Sequence, residues 1–137
     1  MSLSPEQVVS KMMAGDFFSQ WLGVEILETG LGMCKLKATL RNEMLNGFAI
    51  AHGGISYSLS DSALAFSCNS YGKKAVSIET SISHIKQIKE GDELIVVAKE
   101  ISRAAQWRFC IRFGRGPRGL EPNRGKNRSP ARICGRP

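Results

Sequence analysis

A chain of 137 residues, 42% of them hydrophobic, fits one domain large enough to bury a core without disulfide or metal staples. Its net charge of +7 is confined to one end: residues 1–110 hold eleven Lys plus Arg against eleven Asp plus Glu, and the eight basic residues beyond them face only Glu121. A balanced body with a basic tail whose one aromatic is Phe113 speaks against a nucleic-acid domain, which interleaves cations and aromatics on folded elements.

The chain shows no basic segment followed by an apolar one at its start and no apolar run of membrane-spanning length, so a cytoplasmic protein with no membrane partner is expected. Cys34, Cys68, Cys110 and Cys134 are far apart and unclustered, and read as reduced thiols rather than metal ligands.

Ser4-Pro5-Glu6-Gln7 carries a helix start, with Ser as N-cap, Pro at the first helical position and Gln three residues past the cap. That helix should stop at Gly15-Asp16, and Phe17, Phe18, Trp21 and Leu22 then supply apolar anchors. Residues 24–27 and 33–40 favour strands, the second alternating Cys34, Leu36, Ala38, Leu40 against Lys35, Lys37, Thr39; an antiparallel pair follows. Residues 41–51 read as a loop with a turn at Asn46-Gly47. Residues 54–69 read as a helix apolar or small nearly all round, which must be wrapped by strands. A long strand is expected over 75–88, with Val76, Ile78, Thr80, Ile82 and His84 on one side, then strands over 94–101 and 105–113. Beyond residue 113 the Arg, Gly and Pro residues have no period, and no regular structure is expected.

Twenty-nine residues separate Glu43 from Lys73, and they carry one formal charge, Asp61, in the middle of the wrapped helix. A carboxylate there loses hydration and gains nothing from helix propensity. His52-Gly53-Gly54 lies at the mouth of the same helix, where free backbone N–H groups and the helix dipole polarise a carbonyl and glycine lets a ligand come close. At about 1.5 Å per residue, Asp61 is about 12 Å along the axis from Gly53, so one protomer cannot bring both to one carbonyl. An antiparallel second copy can, which makes a homodimer with an interfacial site the natural solution. Separately, each piece has a plainer role: a Gly-Gly turn, an Asp paired elsewhere in the fold, His52 as a helix cap and Asn46 as a turn residue.

Met44-Leu45-Asn46-Gly47, His52-Gly53-Gly54, Leu59-Ser60-Asp61-Ser62-Ala63 and Ala65-Phe66-Ser67-Cys68-Asn69-Ser70 together resemble the PaaI-type acyl-CoA thioesterases of phenylacetate degradation, in the HotDog-fold superfamily. The likeness covers residues 16–101. It implies an α+β fold in which an antiparallel sheet wraps a long central helix. It also implies thioester hydrolysis at the interface of a homodimer or dimer of dimers. By position, Asp61 would activate water or attack the thioester directly, Gly53 N–H would polarise the carbonyl, His52 and Asn46 would orient substrate or water, and Gly54 and Lys86 would contact the acyl-CoA substrate. No metal and no cofactor beyond the substrate's own coenzyme A is required.

Two departures accompany the likeness. Gln87 stands where relatives usually have proline, and no sixth-strand pattern follows the fifth. The expected organisation is therefore a HotDog thioesterase domain over 1–111 with its final strand missing or altered. An irregular basic tail over 112–137 would follow, of the kind an out-of-frame translation of a GC-rich gene produces. The alternative to an aryl-acetyl- or medium-chain acyl-CoA thioesterase is a non-catalytic HotDog module that binds acyl-CoA. A hydratase fits less well, because hydratase relatives generally pair an Asp with a His.

Overall fold

The computed structural model describes residues 3–82, 84, 86–102, 107–115 and 131–136, with the backbone alone at 78–79, 107–115 and 131–136. Helix α1, Pro5–Gly15, begins with the expected capping box: Gln7 N–H donates to Ser4 Oγ at 3.3 Å, and Ser4 N–H to Gln7 Oε1 at 2.9 Å. The apolar anchors after it form a second helix, α2, Phe17–Leu22. Asp16 caps α2, accepting from Ser19 N–H at 2.9 Å and Ser19 Oγ–H at 2.5 Å, and Gly23 ends it in the left-handed region at φ 72°.

Strands β1, Glu25–Gly30, and β2, Met33–Thr39, form the expected hairpin. A 3₁₀ turn at Asn42–Met44 and an Asn46 turn lead into helix α3, Gly53–Asn69. Then come β3, Val76–Thr80, β4, Glu93–Ser102, β5, Trp107–Arg115, and β6, Ala131–Arg136. The six strands make one sheet in the order β1-β2-β4-β5-β6-β3, with every neighbouring pair antiparallel.

The core lies between this sheet and α3. Alternation on β2 sends Cys34, Leu36 and Ala38 inward, and β4 adds Leu94, Val96 and Ala98. From α3 come Leu59, Ala63, Leu64 and Phe66, while Val9 of α1 and Leu22 of α2 close the end. Buried serines on α3 satisfy themselves inside the helix: Ser60 Oγ–H donates to Ser56 C=O at 2.9 Å and Ser67 Oγ–H to Ala63 C=O at 2.8 Å. The helix thus presents small side chains to β2 and β4 without leaving polar atoms unmatched. Cys34 and Cys68 are free, and burial pushes their thiols up to about 12 and about 11.

Two sequence expectations are corrected. The strand expected over 75–88 ends at Thr80, whose pairing with Ile133 closes the β3–β6 ladder, while Arg132 and Ala131 of β6 go on to pair with Cys110 and Ile111 of β5. The segment that follows turns across the mouth of α3 instead. The stretch 112–137 is not wholly irregular, since β5 continues to Arg115 and Ala131–Arg136 supplies the sixth strand, inserted between β5 and β3. Residues 116–130 lie outside the described part.

Candidate active site

Helix α3 starts where the chain, tied back by Ala51 N–H to Ile88 C=O at 2.8 Å and His52 N–H to Met44 C=O at 2.9 Å, turns inward at Gly53. His52 is the N-cap, and its Nδ1 accepts from Gly54 N–H at 3.0 Å. A neutral His52 therefore carries its proton on Nε2 and presents a donor outward. The same bond occupies Gly54 N–H, so that donor is not free for a ligand. Gly53 N–H meets no acceptor among the described residues.

That free donor borders a cleft of about 370 Å³ lined by Ile50, Ala51, Gly53, Ser56, His84, Lys86, Gln87 and Ile88. The volume falls within the range of small-molecule sites, roughly 300–1,000 Å³. Lys86, exposed, stands on its wall. His84 is the residue that sequence reasoning missed. The sequence places it in a long strand, but its ring lies against the helix mouth, with Nε2 3.2 Å from where a Cβ on Gly53 would stand. The available signal was a lone imidazole in an otherwise apolar alternation, two residues before Lys86.

Asp61, Asn46 and His52 do not line the cleft. Asn46 Oδ1 accepts from Phe48 N–H at 2.9 Å, and the turn it shapes leaves Phe48 86% exposed. Asp61 lies eight residues into α3, about 12 Å from Gly53 along the axis. It belongs to the stripe of α3 that the sheet leaves uncovered, with Gly54, Tyr57, Ser58 and Ala65. Burial raises its carboxyl above the ordinary range, a hydrogen bond from Ser77 Oγ at 3.4 Å opposes this, and the charge of Asp16 adds to the rise. Asp16 is linked to the adjacent turn through Ser19, whose Oγ lies 2.8 Å from Ser62 Oγ in the buried α2–α3 contact. Among the described residues no group of three or more His, Cys, Asp or Glu is placed to hold a metal ion.

A long, nearly uncharged helix crossed by an antiparallel sheet, with a glycine mouth opening on a cleft, defines a HotDog-type α+β domain. Residues 48–105 match the family model of the thioesterase superfamily. A putative esterase of Archaeoglobus fulgidus is 39% identical over 97 residues, which cover 71% of this chain and 63% of the archaeal protein. Acyl-coenzyme A thioesterase PaaI of Escherichia coli is 33% identical over 99 residues, 72% of this chain and 71% of that protein. The solved structure of the E. coli PaaI protein from the phenylacetic acid degradation operon superimposes with a TM-score of 0.80 at 24% identity, over 96% of this chain and 89% of that one. A hypothetical thioesterase of Streptococcus pneumoniae, solved with coenzyme A, gives 0.76 at 20% identity over 91% and 94%. The chain belongs to the PaaI-type thioesterases of the HotDog superfamily.

Proposed function

We propose that the chain hydrolyses acyl-CoA thioesters to free acid and coenzyme A, at sites completed by the pairing of two copies. The observation that carries this reading is the division of labour along α3. An unmatched Gly53 N–H opens on a cleft at the helix mouth, and a half-buried carboxylate sits on the uncovered stripe about 12 Å away. An antiparallel second copy would lay its Asp61 beside the first copy's Gly53. There Gly53 N–H would hold the developing oxyanion, and Asp61 would activate water or attack the carbonyl carbon. His52, through Nε2–H, and Asn46 would orient substrate or water, and Lys86 would meet a coenzyme A phosphate.

The relatives support this chemistry: one is named for acyl-coenzyme A thioesterase activity and another structure of the same fold was solved with coenzyme A. The acyl group we propose is aryl-acetyl or of similar medium size, which the cleft volume accommodates. No helix among the described residues is long and apolar enough to cross a membrane, in keeping with a substrate met in solution.

Thiol release from phenylacetyl-CoA and a series of straight-chain acyl-CoAs tests the reading, run beside Asp61→Asn at matched folded concentration. Turnover that falls by about 100-fold or more in the variant is expected. Binding of acyl-CoA without turnover in either protein would replace the enzyme by a binding module.

A further inference from the structure

The cleft at Gly53 contains a group able to take a proton that belongs to the same protomer, His84. Its Nδ1 lies 3.3 Å from Ser56 Oγ, and Ser56 Oγ–H donates to Gly53 C=O at 3.1 Å. A serine hydroxyl has one hydrogen, so with that hydrogen on Gly53 C=O the contact to His84 needs Nδ1–H as donor. Neutral His84 then keeps an unshared pair on Nε2, the ring atom nearest Gly53, 3.2 Å from the glycine's Cβ position against 3.5 Å for Cε1. The two histidines at this helix mouth are thus opposite in sense: His52 accepts at Nδ1 and offers Nε2–H, whereas His84 donates at Nδ1 and offers a lone pair. Ser56, 4% exposed and fixed to the helix, holds that tautomer as long as its own hydrogen stays on Gly53 C=O.

We infer that His84 is a catalytic general base of the protomer that supplies Gly53. This rests on the thioesterase reading and adds a second proton acceptor to it, since Asp61 of the same copy is about 12 Å from Gly53. With the thioester oxygen on Gly53 N–H and the second copy's Asp61 accepting one hydrogen of the water, that water, held between Nε2 and the carbonyl carbon, loses its other proton to Nε2 as its oxygen bonds to that carbon. Collapse of the oxyanion breaks the C–S bond, and the imidazolium returns the proton to the departing sulfur. The products are the thiol of coenzyme A and a carboxylic acid, which ionises to solvent. Lys86, a charged group among the described residues that line the cleft, carries no proton-transfer duty in this scheme.

His84→Asn retains a polar group toward Ser56 but cannot take the proton, and His84→Ala opens room for free imidazole. Because His84 is exposed, both variants are expected to fold, which circular dichroism checks. In acyl-CoA hydrolysis both should lose about 100-fold in kcat with little change in KM, and added imidazole should restore part of the alanine variant's rate. The inference is overturned if kcat of either variant stays within about twofold, if the loss is confined to KM, or if the asparagine variant alone retains activity. Absence of thiol release from the unaltered chain would overturn both this role and the thioesterase reading, whereas an active parent with indifferent variants sinks the histidine alone.

Discussion

Gly53→Ala separates what the glycine does for the fold from what it does for the chemistry. Its backbone is not in the left-handed region, so alanine meets no conformational penalty there. The new Cβ would lie 3.2 Å from His84 Nε2, a contact that ordinary packing relieves at 3.4 Å, so the ring must withdraw by about two tenths of an ångström. His84 is exposed and can do so. The stability change should stay within about 0.5 kcal/mol, a melting shift of roughly 2–4 °C at most. The methyl group nevertheless occupies the approach by which a carbonyl reaches the N–H, and loss of one such donor costs about 10²–10³ in kcat. Gly32→Ala is the opposite case. At φ 67°, with Tyr71 Oη 2.6 Å and Glu100 Oε2 2.8 Å from its Cβ position, it meets both backbone strain and a clash. It should lose about 2 kcal/mol or more of stability yet keep its rate per folded molecule. Thermal melts and thiol release on the same preparations read both axes. A Gly53→Ala protein that retains activity within about threefold would refute the oxyanion role, and one that melts as low as Gly32→Ala would refute the packing argument.

Asp61→Asn should stabilise the protein at neutral pH while removing activity. A carboxyl raised above its ordinary range stabilises the fold below the unfolded value and loses that contribution as pH rises through the folded value, so the variant's advantage should appear near neutrality and vanish below about pH 4. Melting curves across that range check it. Ser19→Ala strips a buried partner from both Asp16 and Ser62 and should cost about 1–3 kcal/mol in urea unfolding, with Ser19→Ala/Ser62→Ala costing less than the sum of the singles.

Most of the frame was legible in the sequence because its signals are local. The capping residues of α1, the alternation on β2 and the charge-free stretch of α3 each specify an element without knowledge of its neighbours. What failed depended on partners. The period-2 pattern past Thr80 is as good as that before it, and only the ladder with β6, whose last pair is Thr80 with Ile133, marks where β3 stops. Six residues of β6 are outweighed by the Gly, Pro and Arg around them, and their role comes from two strands that need a partner, β5 and β3. Helix α2 is too short to show a period and was visible only as a set of apolar anchors. At the site, Gly53 and Asp61 could be chosen because a glycine pair and a single charge stand out in an apolar context, whereas Lys86 came only through the family resemblance. His84 stood out only as a lone imidazole, since its meaning comes from Ser56, a partner that no sequence spacing pairs with it.

The eight-residue step from Gly53 to Asp61 also makes the site a matter of subunit statistics. If each cleft borrows its carboxylate, a Gly53→Ala chain and an Asp61→Asn chain are both inactive as pure dimers, yet the mixed dimer contains one cleft with both groups intact and one with neither. Equal amounts unfolded together and refolded should regain about one quarter of the parent's sites, with activity rising as the product of the two chain fractions.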